Sequence, residues 1–93
     1  MTKIRLQGFI LIPAADLELV KSELGIHKAL TLKEAGCLTF KVTQDDMNPL
    51  KYSVYEEFVG QAAFDLHQAR VKSSRWGQVT QNVERHYQIS CVD

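Results

Sequence analysis

Two short alternating runs joined by a polar turn constrain this chain's fold more than any other stretch. In Cys37–Thr43, the side chains of Leu38, Phe40 and Val42 fall on one face and those of Thr39, Lys41 and Thr43 on the other. In Lys51–Phe58, Tyr52, Val54, Glu56 and Phe58 share one face, while Ser53, Tyr55 and Glu57 share the other. A period of two is the pattern of a strand whose faces meet different surroundings. Between the runs, Gln44–Leu50 carries Asp45-Asp46 and Asn48-Pro49, residues that favour turns through local side-chain bonds and a fixed proline φ. The pair therefore predicts a central antiparallel hairpin.

The flanks surround this hairpin with two further strand and helix patterns. Ile4–Ile12 alternates, with both faces apolar towards its end, and Pro13 stops it because proline cannot donate to a ladder. Asp16 is placed as an N-cap with Glu18 in the first turn. Leu17, Val20, Leu24, His27 and Thr31 then recur at helical spacing. Gly25 weakens this helix locally, and Gly36 suits a left-handed position after it. Downstream, Gly60 to Ser73 predicts a second helix, with Ala63, Phe64, His67 and Val71 on one face. Gly77 interrupts it, and Trp76–Asn82 forms a separate turn. Glu84–Val92 is the last strand, placing Arg85, Tyr87, Ile89 and Cys91 on one face.

The order is strand, helix, strand, strand, helix, strand. It predicts an α+β, ferredoxin-like βαββαβ fold, with both helices on one face of a four-stranded antiparallel sheet. The uncovered face, rich in apolar positions, calls for a second copy of the chain, a homodimer. The 93 residues are read as a single domain over 1–93, small enough to gain from such pairing.

Eleven basic and eleven acidic residues cancel, and no like-charge block occurs, so neither nucleic acid nor an anionic membrane surface is an expected partner. Two cysteines in an ordinary globular composition read as free thiols, and the expected location is cytoplasmic. The apolar run Phe9–Ala15 after Lys3 and Arg5 is short and broken by Pro13, so no leader is expected. No stretch has the length of a membrane span.

Three residues carry the chemistry that the pattern suggests. His27 lies on the apolar stripe of the first helix. Glu56 lies on the apolar face of its strand, where burial raises a carboxyl towards the acid–base range. His67 lies on the inner face of the second helix. Two helices over one sheet face can bring all three to one pocket, with His67 or His27 as proton acceptor and Glu56 assisting. The bland alternatives are buried histidines bonded to backbone, and a Glu56 paired with Arg5, Arg85 or Lys41. Tyr55, Phe64 and Trp76 are placed as aromatic substrate contacts, and Arg70, in the basic Arg70–Arg75 stretch, as a contact for an anionic group. No HxH, CxxC or HExxH spacing supports a metal, no glycine-rich phosphate loop occurs, and no cofactor is expected.

Taken together, several positions are similar to the antibiotic biosynthesis monooxygenase family. They are His27, Thr31, Glu34, Gly36-Cys37-Leu38, Phe40 and Val42; then Asp46 and Asn48-Pro49; then Tyr55-Glu56 and Phe58; then Ala62-Ala63-Phe64 and His67. The family includes small quinol monooxygenases and the autoinducer-2 degrading protein. The resemblance implies a dimeric α/β barrel of two sheets packed face to face. It also implies oxidation of a small quinol or aromatic substrate by O2 without flavin or metal. His27, Glu56 and His67 fall on family motif positions. Some relatives instead degrade haem or isomerise small phosphorylated metabolites, and a non-catalytic ligand-binding dimer is a further alternative. Lys72 departs from the pattern, standing where many relatives carry a second histidine.

Overall fold

In the computed structural model, which describes residues 2–92, four strands pair into one antiparallel sheet. They are β1 (Lys3–Leu11), β2 (Cys37–Gln44), β3 (Lys51–Phe58) and β4 (Glu84–Val92), in the order β2-β3-β1-β4. A 3-10 turn at Ala14–Asp16 leads into α1 (Leu17–Leu32), and α2 (Gln61–Lys72) and a short α3 (Arg75–Val79) connect β3 to β4. This is the ferredoxin-like α+β arrangement. The two central strands, β1 and β3, are joined with Ile4 opposite Phe58 and Ile10 opposite Tyr52.

The alternation sorts the sheet into two faces. Ile4, Leu6, Ile10, Tyr52, Val54 and Phe58 are buried under the helices together with Val20, Phe64 and Val83. Burying a side chain of this size removes apolar area from water at about 25 cal/mol per Å², the main force holding the helices to the sheet. Arg5, Gln7, Phe9 and Leu11 lie on the other face and are only half-buried. β4 is an edge strand that the helices barely cover, so Tyr87 and Ile89 on its helix side remain exposed.

Four local expectations are corrected. Leu38 does not share the inner face with Phe40: the register shifts between Cys37 and Thr39, and the extra residue of this bulge leaves Leu38 exposed. Asp16 stands at the N-cap of α1, but its side chain makes no capping bond. Gly36 is not left-handed; among the described residues only Gly8 has a positive φ. Gly36 matters for space instead, since a Cβ there would lie 2.3 Å from the Cβ of Ala63 on α2. Finally, α2 ends at Lys72, beside the expected Ser73, but Gly77 is not what interrupts it. Ser74 starts α3 by accepting the Gly77 N–H, and Gly77 lies inside that helix.

Gly8 lets β1 lie close against β4. Its φ is 153°, and a Cβ built on it would meet the His86 carbonyl oxygen at 1.9 Å. α1 runs through Gly25 without interruption. Cys37 and Cys91 are free thiols. Among the described residues, no helix is long and apolar enough to cross a membrane.

Candidate functional site

His67 reaches the space between the helices and the sheet from the inner face of α2, one turn beyond Ala63 and Phe64. It is buried, and its two ring nitrogens meet different carboxylates. Nδ1 lies 2.9 and 3.1 Å from the two oxygens of Glu34, which sits in the turn between α1 and β2. Backbone bonds from the Glu34 N–H to Thr31 and from the Cys37 N–H to Glu34 hold that turn. Arg70 donates Nε to Glu34 Oε2, and its Nη2 donates to Thr31 Oγ1 at 2.9 Å. Thr31 in turn donates to the His27 carbonyl at 2.8 Å. The network ties α1, the turn and α2 to one imidazole. A carboxylate can only accept, so Nδ1 carries the proton and donates to Glu34. In the neutral ring, Nε2 is then a bare lone pair.

Nε2 faces Glu56 Oε1 at 3.6 Å, too far for a hydrogen bond. Glu56 comes from β3, beside Phe40 of β2 in the ladder. Burial pushes its carboxyl up to about 7, and the charge of Glu34 adds to the rise. Burial also pulls the His67 imidazole down; the bond and charge of Glu34 oppose this, and Arg70 reinforces it. Here a proton acceptor and a proton-bearing carboxyl face each other near neutral pH. Paired groups whose surroundings separate their protonation states are the arrangement that acid–base chemistry uses.

His27 supplies a wall. Its ring stacks on Trp76 at 4.6 Å and 4°, and meets the edge of Phe40 at 5.4 Å. Burial, followed by the charges of His67, Arg70 and Arg85, lowers its imidazole to about 3, so it is neutral throughout the physiological range. Its Nδ1 is buried without a hydrogen-bond partner. A buried polar atom left in this way costs stability and is free to bond a ligand.

His27, Phe40, Glu56, His67 and Trp76 line a cavity of about 50 Å³. A second hollow, of about 640 Å³, shares Gln68, Val71 and Arg85 with it and adds Lys72 to its lining. The inner cavity has room for a few waters. The outer hollow is within the range of small-molecule sites. Among the described residues, no group of three His, Cys, Asp or Glu side chains is arranged to hold a metal ion.

The structure brings His27, Glu56, His67 and Trp76 together. Arg70 stands behind His67, occupied by Glu34 and Thr31 rather than lining the cavity. Phe64 packs in the core, edge-on to Phe58 at 5.5 Å, and does not line the cavity either. Tyr55 lies on the opposite face of the sheet, its hydroxyl donating to Glu57 at 3.0 Å. The period of two already put Tyr55 and Glu56 on different faces, so both could not serve one pocket. Glu56 faces His67, and none of Arg5, Arg85 and Lys41 pairs with it. Sequence reasoning missed Glu34 as the partner of His67, and Gln68 and Tyr87 as lining residues. For Glu34 the signal was its place among the family-like positions; its partner lies 33 residues away, and no local period records that.

The sequence model for antibiotic biosynthesis monooxygenases matches residues 8–78. No curated protein sequence matches the chain at a significant level. Among solved structures, a Pseudomonas aeruginosa protein superposes with a TM-score of 0.80 at 23% identity, covering 99% of this chain and 93% of its own. A structure described as an antibiotic biosynthesis monooxygenase gives 0.76 at 21% identity, covering 100% and 97%. A Shewanella oneidensis protein gives 0.74 at 22% identity, covering 98% and 88%.

Proposed function

Because the chain belongs to the antibiotic biosynthesis monooxygenase family, we propose that it oxidises a small quinol or electron-rich phenol with O2, and that His67 is the proton acceptor. The observation that carries this reading is the bare Nε2 of His67, set by Glu34 and aimed at a cavity shared with Glu56. Family membership supports monooxygenase-like chemistry in general; the substrate and the residue roles are this reading's own additions.

The substrate's hydroxyl enters the inner cavity and its ring stays in the outer hollow. His67 Nε2 takes the hydroxyl proton, which turns the ring into a strong electron donor. The aryloxide passes one electron to O2, and the two radicals join at a ring carbon that bears hydrogen. Loss of that hydrogen as a proton, with cleavage of the O–O bond, leaves a carbonyl on the ring and releases hydroxide. The proton held by His67 converts the hydroxide to water. The overall change is phenol plus O2 to quinone plus water. The reducing electrons come from the ring, and one oxygen atom ends in each product. Glu56, its carboxyl pushed up to about 7 by burial, steadies oxygen charge opposite His67. His27 and Trp76 form a flat apolar wall against which a ring can lie. In this reading the protein works as a homodimer in the cytoplasm.

The test is O2 consumption by purified protein with a panel of reduced quinols, beside the His67→Ala variant. Uptake above the autoxidation blank is expected, falling about 10²- to 10⁴-fold in the variant, the usual contribution of a positioned base. Wild-type rates retained by the variant remove His67 from the mechanism. Turnover that continues unchanged without O2 replaces oxidation by an isomerisation.

A further inference from the structure

The inner cavity, at about 50 Å³, is too small for an aromatic ring, so the body of any aromatic substrate lies in the outer hollow of about 640 Å³. The two compartments differ in charge. The inner wall carries Glu56, and Glu34 stands behind His67. The outer hollow is lined by Lys72 of α2 and by Arg85 of β4, which also reaches the inner cavity, with no carboxylate among its lining residues.

These two cations differ from the other basic residues on α2 and α3. Arg70 is matched by Glu34, and Arg75 by Glu23 at 3.1 Å. Arg85 donates Nη1 to the Thr80 and Val83 carbonyls and Nη2 to Thr80 Oγ1, all neutral acceptors. Lys72 has no ionic partner among the described residues. Two cations without ionic partners line this one hollow and attract an anionic group there, and Lys72 does not line the inner cavity. Val71, one turn beyond His67, lines both compartments and offers the ring an apolar floor.

We propose that the substrate is a single-ring phenol bearing a carboxylate, bound with its hydroxyl at His67 and its carboxylate between Lys72 and Arg85. This rests on the His67 reading and adds the substrate's charge and orientation.

The experiment is a titration, followed by calorimetry and by the imidazole ¹⁵N shifts of His67, with 4-hydroxybenzoate and the nearly isosteric, neutral 4-hydroxybenzamide. No turnover is needed, so the outcome is separate from that of the O2 assay. 4-Hydroxybenzoate should bind about tenfold more tightly than the amide and shift His67, the size expected of one charge-assisted contact. The preference should shrink as salt rises from about 0.05 M to about 0.5 M. It should vanish in Lys72→Met and return in Lys72→Arg. Equal binding of the two probes overturns the proposal, as does binding of neither. A preference that survives in the Lys72→Met/Arg85→Gln double variant also overturns it, because the charge selection then arises elsewhere.

Discussion

At Nδ1 of His67 the Glu34 carboxylate lies at 2.9 Å, whereas at Nε2 Glu56 lies at 3.6 Å. The close contact fixes the ring and its tautomer. The distant one leaves the lone pair open and its own carboxyl buried without a hydrogen bond from His67. That burial has a thermodynamic consequence. The folded chain holds the Glu56 proton up to about pH 7, while an unfolded chain releases it near the ordinary glutamate value. Folding is therefore favoured below that ordinary value and progressively penalised as pH rises towards 7. His27 acts in the opposite sense. Its imidazole is lowered to about 3, so it stabilises the fold above its ordinary value, and that contribution fades as pH falls towards 3. The comparison that isolates Glu56 is Glu56→Gln against the parent chain. The variant is expected to be more stable at pH 7.5, by on the order of 3 kcal/mol. The advantage should fade as pH falls through 7 and be gone near 4.5. Urea unfolding at a series of pH values measures this, and a difference that does not change with pH would show that Glu56 is not held protonated.

The site depends on how α2 is seated, and one contact sets that distance. Gly36, in the turn that also carries Glu34, packs directly against Ala63 of α2. A methyl group at position 36 pushes α2 away from the turn, and His67 away from Glu34. Gly36→Ala is expected to cost about 1–3 kcal/mol, the usual cost of overpacking. Ala63→Gly made in the same chain should recover part of the loss, because it removes the atom that the new methyl meets. Thermal melts of the two single variants and the double variant check this; simple additivity would mean that the two positions do not share a contact. The elements themselves were largely legible from local pattern, including the central hairpin and the helical stripe through His27. The exceptions have physical causes. Leu38 leaves the inner face through a bulge that alternation alone does not reveal. The break between α2 and α3 falls at Ser73-Ser74, where a serine cap competes with the helix more effectively than Gly77 does.

Over the whole molecule, the helices cover one face of the sheet and leave the other open. At the centre of the open face, Phe9 stacks on His86 at 4.6 Å, with the Lys51 ammonium 4.5 Å from its ring centre. The rest of the face mixes polar side chains such as Gln7 and Gln88 with Leu11 and Tyr55. A second copy packed on this face would bury Phe9 and add to a small core. Light scattering at micromolar concentration is expected to give twice the chain mass, and Phe9→Glu to give the single mass with the fold retained by circular dichroism. A single mass for the parent chain would rule out the homodimer.

The sequence by itself determined the order of elements, the two faces of each strand and helix, and the presence of His27, Glu56 and His67 on inner faces. These follow from periods of 2 and 3.6, which are properties of neighbouring residues. Only the tertiary structure decided that Glu34 orients His67, that Arg70 stands behind it rather than in the pocket, and that Tyr55 and Phe64 lie outside the cavity. It also decided that Lys72 and Arg85 share a hollow beside it. Each of these depends on the distance between elements far apart in the chain, and that distance is set by how their side chains pack. Gly36 against Ala63 is an example: the missing Cβ is plain in the sequence, but the atom it makes room for is not.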